Sequence, residues 1–210
     1  MNKQNRRLVI VGAGGHGKVV ADCAERMGRW SEIVFADSNF PTKQHCLGFS
    51  VVCHPDNIES VITESTDAFV AVGDNHARKR IAQSLPIPHE RLVSLVHPNA
   101  VVSRYVKIGQ GVLILAGAVI NADTAIEDGS IVNTCASVDH DCVVGAYSHL
   151  APGVHLAGAV DVGQECFLGV GVSVIPKVTI GTNTIVGAGA TVIQNLPANI
   201  TAIGTPAKQK

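Results

Sequence analysis

From Val102 to Val192 every sixth residue is Val, Ile or Leu, through sixteen positions without a break. Two residues before each of them stands a small or β-branched side chain, as at Ala118, Thr124, Ser130, Ala136, Cys142 and Ser148. A period of six fits neither the 3.6-residue helix nor the two-residue strand alternation. It is the hexapeptide period of a parallel β-helix, in which each repeat forms one short side of a triangular coil. Three hexads make one coil, so the stretch predicts about five stacked coils. Glycines at 109, 145, 163, 169, 181 and 187 directly follow the aliphatic residue. They are expected at turns that need a permissive backbone.

Upstream the pattern changes. Leu8–Val11 reads as a short buried strand entering Gly12-Ala-Gly-Gly-His-Gly17, followed by a helix over 18–27. A second strand, 33–35, ends near Asp37; 57–65 reads as helix, 68–72 as strand, 75–84 as helix and 92–96 as strand. Strands alternating with helices imply a small parallel α/β sheet. His97-Pro98-Asn99 marks the boundary. The expected organisation is therefore an α/β N-terminal domain over 1–96, a small Rossmann-like parallel sheet, followed by an all-β parallel β-helix over 97–210.

Composition narrows the partners. Net charge is −1, with 16% charged residues, which gives no electrostatic case for nucleic acid or an anionic membrane. Aromatics are only 4%, as a coil interior too narrow for rings requires. The six cysteines form no CxxC pair, so reduced thiols are expected and a zinc or redox motif is not. The basic start, Met1–Arg7, precedes only a four-residue apolar run. Neither a signal peptide nor a membrane span fits, and the cytoplasm is the expected location.

Two places carry chemistry. Gly12-x-Gly14-x-x-Gly17 after a strand, with Asp37 twenty residues beyond Gly17, matches a dinucleotide-binding fingerprint. Glycines let a backbone approach a diphosphate, and the helix N-terminus supplies N–H donors. The domain is only about one mononucleotide half in size, which favours a nucleotide-linked substrate over NAD(H). The second place is the β-helix, where His140 lies between Asp139 and Asp141, with His149 and His155 following. A carboxylate beside an imidazole orients it and raises its basicity; sequence leaves open which aspartate does so. His140 and His149 are nine residues apart, half a coil, and so fall on different sides of one prism. They converge only if a neighbouring chain supplies one of them, which predicts a site between subunits of a closed three-fold oligomer.

The two halves together resemble the NeuD/PglD-like sugar O- and N-acetyltransferases, acetyl-CoA-dependent enzymes of the left-handed β-helix superfamily. The matching stretches are Val9–Gly17, Val72-Gly-Asp-Asn75 with Arg78, Val132-Asn-Thr134, Val138-Asp-His-Asp141, His149-Leu-Ala-Pro-Gly153 and Gly204-Thr-Pro-Ala-Lys208. The likeness is strongest to UDP-4-amino-sugar N-acetyltransferases of the bacillosamine type, which serve protein glycosylation. The resemblance implies a left-handed coil, a homotrimer and acetyl-CoA as cosubstrate with no metal. It places the general base at His140 with Asp141 as its acid, and acetyl-CoA contacts at His149, Gly158, Val170 and Ala188. Substrate contacts fall on Gly14, Gly15, His16, Asp37, Gly73 and Asn133. Where many members have two consecutive acids, Asp37 is followed here by Ser38. Competing expectations are a sialic-acid-type O-acetyltransferase, a dTDP- or GDP-4-amino-sugar N-acetyltransferase, a non-catalytic β-helix module, and a small NAD-dependent oxidoreductase.

Overall fold

The computed structural model describes residues 4–210, which divide into two compact units, one ending at Pro98 and the other spanning Asn99–Lys210. In the first, β1 (Gln4–Val11), β2 (Trp30–Ala36), β3 (His45–Cys46), β4 (Phe49–Cys53) and β5 (Thr66–Val70) form one sheet in the order β3-β4-β2-β1-β5. β1 pairs in parallel with β2 and β5, with Ile10 opposite both Phe35 and Phe69. The consecutive residues Leu8, Val9, Ile10 and Val11 are all buried, so the central strand is apolar on both faces, as a parallel sheet covered on both sides requires. Helices α1 (Gly15–Met27) and α2 (Asn75–Ser84) follow β1 and β5. Asp74 caps α2 by accepting the Ala77 N–H at 2.7 Å. Strand order reverses on the two sides of β1, so the loops after β1 and β5 emerge together at the switch point where such sheets bind ligands.

Several local expectations need correction. The helix expected over 57–65 is a 3₁₀ segment, Pro55–Val61, with non-helical dihedrals at Asn57. Beyond it Val61, Ile62 and Thr63 are β-branched, and the Thr63 N–H turns back onto the Thr66 hydroxyl at 2.9 Å. The strand expected over 92–96 shrinks to Leu95–Val96, with Leu92 making only an isolated bridge to Ala68. The hairpin β3–β4 escaped the sequence because its turn is Leu47-Gly48, both at positive φ (51° and 83°). Gly or Asn is the usual signal for that geometry, and leucine hides it.

The second unit is the left-handed parallel β-helix. Two-residue strands recur every six residues from Val101–Val102 to Thr191–Val192, and each as far as Ser173–Val174 pairs in parallel with the strand eighteen residues on. The sixteen aliphatics point inward. Those from Ile114 onward are nearly all fully buried, whereas Ile108, in the first coil, is 37% exposed. Residues two positions earlier, such as Ala136, Cys142 and Ser148, are buried as well and fill the corners.

Glycine placement differs from expectation. Positive φ falls three residues after each aliphatic from Ile108 to Val186, as at Gly111, Gly117, Asp123, Asp141 and Gly153, not at the glycines directly following it. Those latter glycines serve close approach: a Cβ on Gly163 would lie 2.6 Å from the Thr182 amide nitrogen of the next coil. The corner leaves no room there for any side chain.

Candidate active site

The glycine loop is built by opposing demands on its glycines. Gly12 has φ 103°, and a Cβ on it would stand 2.9 Å from the Ala71 carbonyl oxygen. A Cβ on Gly17 would collide with the Gly12 carbonyl as α1 packs back on the loop. Gly14 and Gly15 face open space instead, with nothing within 4 Å. The first pair serves the fold, and the second leaves backbone N–H groups accessible at an α1 N-terminus that has no side-chain cap and no acid in its first turn.

Asp37, at the end of β2, is 7% exposed and holds this loop. Its Oδ2 accepts the Ala13 N–H at 2.6 Å, and its Oδ1 accepts both the backbone N–H and the side-chain amide of Asn39. Burial pushes its carboxyl up, but these hydrogen bonds and the Lys43 charge bring it below the usual range. The Lys43 ammonium donates to the Ala13 carbonyl oxygen. Burial first, and then the nearby Arg78 charge, push His16 down to about 4. Its ring is therefore neutral near pH 7. Arg78 itself is 1% exposed and donates to the carbonyls of Val72 and Gly73 and to Asn75 Oδ1, fixing the loop after β5. Gly14, Gly15, His16, Asp37 and Gly73 thus lie beyond the C-terminal ends of the neighbouring strands β1, β2 and β5. Lys43, thirty residues from Ala13 in sequence, joins them without a sequence signal.

On the β-helix, His140 and Asp141 occupy the corner between the strands Ser137–Val138 and Val143–Val144. His140 Nδ1 lies 2.7 Å from Asp141 Oδ2. Asp139 is engaged elsewhere, accepting from the Asn121 amide at 2.7 Å, which closes the choice between the two aspartates in favour of Asp141. The Asp141 hydrogen bond is the main cause that raises the His140 pKa above the ordinary 6.5. The ring projects into solvent, its side chain 63% exposed, over Gly158 in the next coil. A Cβ on Gly158 would sit 2.7 Å from both Cε1 and Nε2, so the glycine makes the space that the imidazole fills. Among the described residues the Gly158 carbonyl accepts the Lys177 N–H, and no partner takes the Gly158 N–H.

The other β-helix positions lie on a different side. His149 belongs to the strand His149–Leu150, stacked between Ile131 and Phe167. Its ring is edge-on to Phe167 with centroids 5.3 Å apart, and its Nε2 accepts from Asn133 Nδ2 at 3.1 Å. Asn133 Oδ1 in turn accepts the Thr134 N–H. Val170 and Ala188 sit on the corner just beyond the strands Phe167–Leu168 and Ile185–Val186. One chain therefore brings together His140, Asp141 and Gly158, and separately Asn133, His149, Val170 and Ala188. A full side of the prism separates the two groups. His155 faces outward and meets the Ser137 hydroxyl at 2.8 Å. Among the described residues no three His, Cys, Asp or Glu side chains cluster as a metal site. Burial raises the Cys142 and Cys166 thiols, leaving them poor nucleophiles.

A doubly wound loop site and a histidine–carboxylate corner on a hexapeptide coil define a two-domain hexapeptide-repeat transferase. Comparison with known proteins agrees. Residues 7–85 match the PglD N-terminal domain, and 159–194 match the bacterial transferase hexapeptide of six repeats. The acetyltransferase domain of PglB from Neisseria gonorrhoeae, solved with acetyl coenzyme A, is 40% identical and superposes with TM-score 0.92. That match covers 99% of this chain and 100% of that one. A histidine-to-asparagine variant of perosamine N-acetyltransferase from Caulobacter crescentus, solved with CoA and GDP-perosamine, is 43% identical with TM-score 0.87 over 97% and 96% of the two chains. UDP-N-acetylbacillosamine N-acetyltransferase of Bacillus subtilis is 37% identical over 117 residues, 53% of this chain. The chain spans about half the length of the curated relatives it matches, 52% and 45%. It belongs to the PglD-like hexapeptide-repeat sugar N-acetyltransferases. Among the described residues no helix is long and apolar enough to cross a membrane.

Proposed function

We propose that the protein transfers an acetyl group from acetyl-CoA to the 4-amino group of a nucleotide-linked amino-dideoxy sugar of the UDP-bacillosamine type. The observation that carries this is the His140–Asp141 pair over Gly158, at 2.7 Å, in a chain about 40% identical along its length to solved sugar acetyltransferases. The glycine loop is the docking place for the nucleotide, and His140 is the base for the amine. Acetyl-CoA supplies the acyl group as a thioester. His140 Nε2 takes a proton from the attacking amine, and Asp141, on Nδ1, stabilises the imidazolium that results. The unpartnered Gly158 N–H donates to the carbonyl oxygen as negative charge develops. The proton leaves His140 for the departing thiolate, so no acyl-enzyme and no thiol nucleophile are required.

Asn133, His149, Val170 and Ala188, on the other side of the prism, hold acetyl-CoA and substrate for a neighbouring chain's His140. The working unit is then a homotrimer with a site at each junction. A second reading, a GDP-linked perosamine-type acceptor, draws on the 43% identity to the Caulobacter enzyme. Thiol release from acetyl-CoA with UDP-, dTDP- and GDP-linked 4-amino sugars ranks the readings by kcat/KM. The UDP sugar ranking first supports the main reading; the GDP sugar first replaces it with the second.

A further inference from the structure

The proposed nucleotide cradle presents a charge question. A diphosphate carries two or more negative charges, and the loop that receives it already rests on the buried carboxylate of Asp37. Backbone N–H groups alone supply only partial charges against that total. Two cations stand near the loop. Arg78 is committed inward, buried at 1% exposure and donating to Val72, Gly73 and Asn75, where it fixes the neighbouring loop. Lys43 differs. Its ammonium donates to the Ala13 carbonyl within the glycine loop and lies close enough to lower the Asp37 pKa.

An ammonium has three donors. Among the described residues the Ala13 carbonyl is the only hydrogen-bond acceptor that the Lys43 ammonium meets, which leaves two donors uncommitted at the residue that precedes the open Gly14 and Gly15. The Ala13 bond fixes where the charge sits, so little side-chain entropy remains to be lost on ligand binding.

We propose that Lys43 is the diphosphate-binding residue of the nucleotide-sugar site, held ready by the Ala13 carbonyl and directing its remaining donors at the phosphates. This rests on the reading of the glycine loop as a nucleotide cradle. Lys43 is a specificity determinant for the diphosphate and leaves the acetyl-transfer corner untouched. A purely structural lysine would stabilise the loop equally for every ligand.

Calorimetric titration of the full chain with UDP and GDP, and with uridine and guanosine as phosphate-free probes, separates these cases. Lys43→Gln should weaken binding of the diphosphates by about 10- to 100-fold, the range for a hydrogen bond to a charged group. Nucleoside binding and the melting temperature should stay unchanged, and Lys43→Arg should recover part of the diphosphate affinity. Steady-state kinetics should show a raised KM for the sugar nucleotide with little change in kcat. Equal weakening of nucleoside and diphosphate, or no weakening of either, overturns the role of Lys43 while leaving the cradle standing. Failure of the unaltered protein to bind either diphosphate overturns the cradle itself, and Lys43 with it.

Discussion

At the scale of single residues, the proposed chemistry rests on an exposed imidazole whose setting is tuned by two neighbours. Asp141 occupies a left-handed corner, φ 59°, from which its carboxylate reaches back 2.7 Å to His140 Nδ1. Asparagine tolerates the same backbone, so Asp141→Asn removes charge with little conformational cost. Because Asp141 raises the His140 pKa, neutral base accumulates only as pH climbs past a value above 6.5. The ascending limb of the kcat/KM profile should therefore lie above that value and move to lower pH in Asp141→Asn, with a lower plateau from the weaker base. A limb that stays in place would detach it from His140. His140→Ala should lose on the order of 10²-fold or more in kcat while melting normally, since its ring is largely solvated. Asp37 teaches a related lesson. The sequence reading makes it a substrate ligand, yet each of its oxygens already accepts a protein N–H, so it first shapes the loop that a ligand meets.

At the scale of elements, glycines that look alike in sequence do different work. Gly163 admits no Cβ because Thr182 of the next coil is in the way, whereas Gly14 has an extended backbone and open space. Gly163→Ala should destabilise the coil by about 1–3 kcal/mol, as over-packing does. Gly14→Ala should leave thermal unfolding unchanged and weaken nucleotide binding. Equal melting curves for the two variants would refute this division. The hexad run was legible because a single residue class repeats at a fixed spacing, and the sequence located α2 to the residue. Helix α1 begins at Gly15, three residues before the expected start, because its first turn is made of the loop glycines themselves. The β3–β4 hairpin and the place of Lys43 were not legible. One depends on a leucine in a glycine-like conformation and the other on a contact thirty residues away in the chain. The corner glycines were legible as glycines but not in their purpose, since close approach between coils is a property of the stack and not of the hexad.

At the scale of the molecule, the prism keeps His140 and His149 on different sides, and under the proposed trimer each is one half of a site that a partner completes. Mixing His140→Ala chains with His149→Ala chains, each inactive alone, should therefore restore activity in the mixed oligomers, where some junctions recover both histidines. Mixtures as inactive as their parents would place the whole site within one chain. The transfer itself is tested most directly by incubating the protein with acetyl-CoA and a UDP-linked 4-amino-4,6-dideoxy sugar, beside the same sugar with a hydroxyl at position 4. The account predicts one thiol released per amide formed with the amine, and thiol release at the acceptor-free level with the hydroxyl sugar. Release no faster with the amine than without any acceptor would contradict it.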